Sequence, residues 1–180
     1  MNYTPPVFQP LQYIPAGQRE TILNSPVHYL SAVAHGRLDT GGNHWCFYLA
    51  IGGTRSVQLD MTPSYTVPST SIRGGSKGIL VISALNCLVS DATTKQVRLD
   101  VRSGLKVADF VNLLEGQKRH HYEFNDQGQG CRYWVDDQMT LFQRSGLVTN
   151  PAQVVEAKAS ILTQYPDQAQ YPLVPSAYYD

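Results

Sequence analysis

Apolar and polar residues alternate along much of the chain, a pattern that predicts β-strands with one buried face. In the segment 56–61, for example, Val57, Leu59 and Met61 alternate with polar neighbours. This pattern and similar runs rich in Val, Ile and aromatic residues predict six strands, at residues 27–34, 44–51, 56–61, 78–85, 96–101 and 120–124. The glycines between the second and third strands predict a β-hairpin, whereas the proline- and glycine-containing segment 62–77 predicts a loop.

Helical periodicity follows the strands. Apolar residues at positions 107, 110, 111 and 114 predict an amphipathic helix ending at Gly116. A second helix is expected from near Cys131 to Gly146, and a third after Asn150, which is suited to cap a helix that starts with proline. We therefore expect one α+β domain over residues 1–180, an antiparallel sheet packed with two to three helices. Its core spans about 27–165, between an extended arm at 1–25 and a Pro/Tyr-rich tail at 166–180.

Composition narrows the classes of partner. The 180 residues carry 14 basic and 14 acidic side chains, so the formal net charge is zero, and only 16% of residues are charged. An ordinary soluble domain has about 25% charged residues. Neutrality argues against nucleic acid, whose binding needs a basic surface. No apolar run reaches the roughly 18 residues of a membrane span, so we expect no membrane partner. The low charge fits a small-molecule substrate that is largely apolar.

Cysteine and histidine usage indicates the compartment and argues against a metal. The chain has three cysteines and no apolar leader after a basic start, so we expect reduced thiols and a cytoplasmic protein. His28 and His35 have no cysteine or carboxylate at ligand spacing along the sequence. We therefore predict no metal site and no cofactor.

The strongest candidate for chemistry is Cys131, at the start of a predicted helix and after Gly128 and Gly130. A helix N-terminus favours a thiolate, and its free N–H groups suit a developing oxyanion. A thiolate nucleophile needs a base, for which His44 at a strand start is suited, and a group that orients the base. The hairpin puts Asp60 and Gln58 on one face of the neighbouring strand, and this reasoning leaves both open as the orienting group.

Two motifs carry a resemblance to a known family. The first is His44-Trp45 at a strand start, followed by a glycine turn and a strand that ends before Pro63; the second is the strand–turn–helix that delivers Cys131. Together they resemble the circularly permuted NlpC-like, papain-fold proteins, in particular the lecithin:retinol acyltransferase-like branch, over residues 40–146. The resemblance implies His44 as base and Cys131 as nucleophile.

The motifs differ from that branch in ways that bear on function. The acyltransferases usually have Asn-Cys-Glu-His around the nucleophile and a histidine as third residue, whereas here Arg132 follows Cys131 and the strand 56–62 has no histidine. Many members also carry an apolar C-terminal membrane anchor, which the Tyr/Pro tail does not resemble. The motifs N-H-W and G-x-G-C-R-aromatic-W further resemble small fungal proteins of unassigned function, which favours a small, biosynthetic substrate.

Three hypotheses for function result. The first is a cytosolic papain-like thiol enzyme that performs acyl transfer, hydrolysis or cyclisation on a small, largely apolar molecule. The second keeps the fold but acts as a cyclase or isomerase through pocket shape and hydrogen bonding. The third is a non-catalytic binding or scaffold module, with a homodimer through the chain ends as one form. Cys46, which lies on the same strand face as His44, is a minor rival nucleophile. The candidate substrate-binding residues are Arg132, Tyr133, Trp134, Trp45 and Tyr122.

Overall fold

The computed structural model describes residues 4–180, which form the predicted α+β fold with a mainly antiparallel sheet. The eight strands are β1 (Leu11–Ile14), β2 (Tyr29–Arg37), β3 (Asn43–Gly52), β4 (Arg55–Pro68), β5 (Ser76–Leu85), β6 (Lys95–Leu99), β7 (Tyr122–Phe124) and β8 (Ala177–Tyr178). The helices are α1 (Arg19–Asn24), α2 (Val107–Gly116), α3 (Cys131–Arg144) and α4 (Pro151–Ile161), and a short 3-10 turn spans Ala16–Gln18.

The sheet order is β6-β2-β3-β4-β5-β7-β8, and β1 adds to β5 in parallel. The predicted hairpin is present: β3 and β4 pair antiparallel through a glycine-containing turn. The last pair between these two strands joins Phe47 and Leu59, after which β4 continues against β5 alone. The strands therefore separate at one end of the hairpin, and this gap positions the candidate site.

The core lies between one face of the sheet and the helices. Odd-numbered residues of the hairpin, such as Phe47 and Leu59, are fully buried and join the main cluster with helix side chains. The ring of Phe47 lies 6.1 Å from that of Trp134 on α3 and 5.5 Å from that of Phe142. Because a strand's side chains alternate, the even-numbered residues face the other side of the sheet, where polar side chains collect.

Two local predictions were wrong. The segment 62–77, expected to be a loop, extends β4 to Pro68 and begins β5 at Ser76. Its prolines are tolerated because β4 no longer pairs with β3 there, and proline is confined to such edges. The arm expected at 1–25 contains β1 and α1, so there are four α-helices rather than two to three; residues 1–3 lie outside the described residues. Six residues are too few for α1 to display a helical period, although Ile22 is buried.

The remaining boundaries follow the predictions closely. The helix expected to end at Gly116 does so, and the Asn150 side chain accepts a hydrogen bond from the N–H of Ala152 at 3.1 Å, as a capping residue should. Within the described part of the chain, no helix is both long and apolar enough to cross a membrane.

Candidate active site

His44 and Asp60 meet where the hairpin opens. Both side chains project from the even-numbered face, His44 from β3 and Asp60 from β4. Nε2 of His44 lies 2.6 Å from Oδ1 of Asp60, and the two side chains are 20% and 19% exposed. This short contact fixes the imidazole ring and leaves its other nitrogen, Nδ1, available for a different partner.

Besides Asp60, the group that acts on the His44 ring is Cys131, the first residue of α3. Burial opposes charge on the His44 ring, yet the charge of Cys131 and hydrogen bonds with Asp60 and Cys131 raise the pKa of His44 well above its usual value. Burial also opposes ionisation of the thiol, but the charge and hydrogen bonding of His44 and the backbone N–H of Trp45 lower the pKa of Cys131. The two shifts have the directions expected of a thiolate–imidazolium pair.

The opened hairpin also supplies a backbone donor. Trp45 lies two residues before Phe47, beyond the last β3–β4 pair, so its N–H is free to donate to the Cys131 sulfur. Had β4 remained paired with β3 at this point, the approach of the helix end would have been blocked. The separation of the strands therefore admits the N-terminus of α3 to the side of His44.

Unused donors surround Cys131 at the helix start. The first hydrogen bond of the α3 ladder runs from the N–H of Trp134 to the carbonyl of Gly130 at 3.1 Å. The N–H groups of residues 131 to 133 precede this bond, so the helix itself does not use them. Free N–H groups at the positive end of a helix dipole favour anions, including a developing oxyanion.

The turn before Cys131 depends on glycine and on a buried tyrosine. Gly130 has φ of 156°, and a Cβ there would lie 2.7 Å from Oγ of Ser176 and 3.0 Å from a ring carbon of Phe124. The hydroxyl of Tyr122 donates to the carbonyl of Gly130 at 2.8 Å. These contacts fix the direction in which α3 presents its first residue.

The C-terminal tail covers the thiol. Cys131 is 5% exposed, and the cavity beside it, lined partly by Tyr133, Tyr171 and Val174, holds about 20 Å³. That is room for about one water molecule. Arg132 is buried and donates to the carbonyls of Ile161, Tyr171 and Pro172, and its guanidinium lies 4.8 Å from the centre of the Tyr171 ring. A molecule that approaches Cys131 from this side must therefore displace part of the tail.

Gln58 does not contact His44. Its amide donates to Sγ of Cys46 at 3.5 Å and to the hydroxyl of Tyr48 at 3.1 Å. Of the two residues that the sequence left open, Asp60 is therefore the one in contact with His44. Gln58 belongs to a neighbouring polar group that also includes His35, whose Nε2 lies 2.9 Å from the Tyr48 hydroxyl.

The five candidate substrate-binding residues separate into two groups. Tyr133 and Arg132 line the small cavity beside the thiol, but Arg132 is occupied by main-chain carbonyls of the tail and of α4. The other three, Trp45, Trp134 and Tyr122, are fully buried. Nε1 of Trp134 donates to the carbonyl of Arg119 at 2.8 Å, which ties that ring into the core.

Sequence reasoning missed Asn43, which precedes the base. Its amide donates to the carbonyls of His35 at 2.8 Å and Tyr165 at 3.0 Å, and its Oδ1 accepts from the N–H of Tyr165 at 2.8 Å. The side chain thus fixes the start of β3 to β2 and to the beginning of the tail. Its place in Asn43-His44-Trp45 is the signal that could have suggested this role.

Comparisons with known proteins add a family. A family model described as a domain of unknown function (DUF7770) matches residues 27–179, a range that contains His44, Asp60 and Cys131. No curated protein and no solved structure matches the chain.

Proposed function

The chain belongs to the family described as a domain of unknown function (DUF7770), and we propose that it is a papain-like thiol enzyme acting on an acyl group of a small, largely apolar molecule. Cys131 is the nucleophile, His44 the general base and acid, and Asp60 the group that orients His44. Acyl transfer, hydrolysis and cyclisation through an acyl-thioester are the reactions open to this triad.

One observation carries the proposal. His44 is held by the Asp60 carboxylate at 2.6 Å and is close enough to the thiol at the start of α3 that the pKa of His44 is raised and that of Cys131 is lowered. Nucleophile, base and orienting group in this order are the arrangement that thiol and serine enzymes share on unrelated folds. The motifs around His44 and Cys131 resemble the permuted papain-like proteins, which supports the same assignment.

The geometry suits a two-stage reaction. The Cys131 thiolate attacks the acyl carbonyl carbon, a C–S bond forms, and the carbonyl π pair moves to oxygen, where the free N–H groups of α3 stabilise it. His44 gives its proton to the leaving group as the carbon–leaving group bond breaks, and a thioester remains. Water, a hydroxyl or an amine then loses a proton to His44 and attacks the thioester, which releases the Cys131 thiolate.

The surroundings of the thiol favour an apolar substrate. Leu38, Tyr133, Tyr171 and Val174 line much of the cavity beside Cys131, together with the uncharged polar residues Asn43 and Gln129. Arg132, the charged side chain in that lining, is already bound to carbonyls. The chain as a whole is neutral and poor in charge. A small acyl compound therefore fits better than a charged polymer.

The test is selective alkylation in the folded protein. With a chelator present, and with Tyr171→Ala used to loosen the tail that covers the thiol, a limiting amount of a small haloacetamide should label Cys131 at least about tenfold faster than a free thiol near neutral pH, mapped by peptide mass spectrometry. His44→Ala should remove this advantage, because the base that supports the thiolate is gone. Cys87→Ser provides the control, since Cys87 lies outside the triad and should not alter the rate at Cys131.

Two results would contradict the proposal. One is labelling of Cys131 at the rate of an ordinary cysteine in a Tyr171→Ala protein whose circular dichroism is native, because the tail then no longer shields the thiol. The other is equal labelling in the wild-type and His44→Ala proteins. The second result would favour a protein that acts through the shape and hydrogen bonds of its pocket, without thiol chemistry. A Cys131→Ala protein should then retain activity.

A further inference from the structure

A second use of the same sheet face combines His44 and Asp60 of the triad with two neighbouring side chains outside it, Cys46 and His35. Cys46 lies two residues after His44 on β3, so both project from one face. One ligand-type atom from each of His44, Cys46 and Asp60 lies within 4.8 Å of the other two. His35 on β2 lies next to this group of three, because its Nε2 is 3.7 Å from Sγ of Cys46.

These spacings match a particular class of ion. In a tetrahedral zinc site the bonds are about 2.0–2.3 Å, so neighbouring ligand atoms lie about 3.3–3.7 Å apart. The distance between His35 and Cys46 is already in this range. To admit an ion, His44 and Asp60, at 2.6 Å, must separate, and His35 must turn to the ion and give up its hydrogen bond with the Tyr48 hydroxyl at 2.9 Å. Two imidazoles, one thiol and one carboxylate are a donor set suited to Zn²⁺ and unsuited to Mg²⁺ or Ca²⁺.

We propose that His35, His44, Cys46 and Asp60 form a binding site for Zn²⁺ on this face of the sheet. The sequence does not reveal this site, because its ligands come from three strands, β2, β3 and β4, and are not closely spaced along the chain. On binding, Cys46 forms a Zn–S bond and releases its thiol proton to solvent, and zinc replaces the hydrogen bond between His44 and Asp60. Nothing is oxidised or reduced.

The ion has a path to the cluster. An open cavity of about 410 Å³ lies on this side of the sheet, and His35, Tyr48, Gln58, Cys87 and Asp91 are part of its lining. His35 is half-buried and bridges this cavity to Cys46, which is fully buried. An ion that enters the cavity therefore meets His35 first and the thiol behind it.

Zinc binding and the reactivity of Cys131 are coupled, because both depend on His44. While His44 binds Zn²⁺ it cannot serve Cys131, so zinc should act as a reversible inhibitor; this consequence, unlike the binding itself, rests on the proposed function. A chelator should restore reactivity, because no covalent change accompanies binding.

The test begins with binding, independent of any activity. Chelator-treated, reduced full-length protein is titrated with ZnCl₂ by calorimetry, and separately with CoCl₂, whose absorption reports tetrahedral geometry and thiolate coordination. We expect one ion per chain and a thiolate-to-cobalt charge-transfer band. Cys46→Ser should abolish that band and weaken zinc binding at least about 100-fold, since a ligand is lost. His35→Gln, a change at a partly exposed position that should not disturb folding, should also weaken binding.

Control variants separate this proposal from its alternatives. Cys131→Ser and Cys87→Ser should each bind zinc within about threefold of the wild-type protein; loss of binding in Cys131→Ser alone would move the ligand role to Cys131 and overturn the site. Binding that is absent, or unaffected by both Cys46→Ser and His35→Gln, would also overturn it. One equivalent of zinc should slow haloacetamide labelling of Cys131. If zinc binds through Cys46 while Cys131 is unreactive without metal, the metal site stands and the proposed enzyme function fails.

Discussion

His44 and Asp60 are in contact although neither is the other's direct partner in the sheet. The register pairs Phe47 with Leu59, so Asp60 lies across from Cys46 and reaches His44 diagonally, at 2.6 Å. A diagonal contact is possible because the strands separate at this point and both side chains project to the same face. The His44 ring is therefore oriented by the geometry of the opening hairpin.

Replacing Asp60 should test this orientation. Asp60→Asn keeps the side-chain size but removes the charge, so the His44 ring is less able to carry the positive charge that balances the Cys131 thiolate. We expect haloacetamide labelling of Cys131 to fall at least about tenfold, with a native circular dichroism spectrum. Gln58→Ala is the matched control on the same strand face, and labelling should stay within about twofold because Gln58 contacts Cys46 and Tyr48 instead. Equal effects of the two changes would contradict a special role for Asp60.

Periodicity predicts the hairpin and therefore part of the site. Alternation in 56–61 and the glycine turn are local features, and they suffice to place Asp60 and Gln58 on one face near His44. The choice between the two depends on where β3 and β4 stop pairing, which is decided by contacts with β5 and α3. No local pattern in either strand encodes that point.

Contacts between residues far apart in the chain are harder still to predict from the sequence. His35 approaches Cys46 because β2 pairs with β3 and has a register shift between Ala34 and Arg37. The tail covers Cys131 because Arg132 binds carbonyls about 30 to 40 residues away. Contacts between residues so far apart in the chain depend on how the whole chain packs. A sequence pattern therefore shows which residue types are present but not which of them are in contact.

Acid should destabilise the fold through Glu123, a fully buried residue of β7. Although burial opposes ionisation, hydrogen bonds from Thr70, Ser69 and Ser71 lower the pKa of Glu123 from 4.5 to about 2. Because the folded pKa lies below the unfolded one, the stabilisation is present above pH 4.5 and is lost as the pH falls from 4.5 towards 2. The expected contribution is about 3 kcal/mol.

Urea unfolding at several pH values measures this effect. Glu123→Gln should lower the free energy of unfolding near neutral pH and flatten its decline between pH 4.5 and 2. Glu156→Gln, a change at an exposed position on α4, should leave the curve as in the wild-type protein. An unchanged pH profile in Glu123→Gln would contradict the assigned role of this carboxylate.

Loosening the tail should expose Cys131. The Tyr171 ring packs against Gly41 and Gly42, and its hydroxyl donates to the carbonyl of Thr40 at 3.2 Å. Tyr171→Ala removes this cover, so labelling of Cys131 by a bulky maleimide should rise several-fold, and more than labelling by a small haloacetamide. Tyr29→Ala, at a position far along the chain from the tail, should leave the ratio of the two rates unchanged. A ratio unaffected by Tyr171→Ala would show that reagents reach the thiol by another route.

The glycine before the nucleophile provides the most direct test of how α3 presents Cys131. In Gly130→Ala the new Cβ would meet Oγ of Ser176 at 2.7 Å and the Phe124 ring at 3.0 Å, at a φ that favours glycine. We expect a loss of about 1–3 kcal/mol of stability and slower labelling of Cys131, since the helix start must shift away from His44. Gly116→Ala meets no atom within 4 Å and should leave both quantities nearly unchanged. Labelling at the wild-type rate in a folded Gly130→Ala protein would mean that the thiol does not depend on this turn.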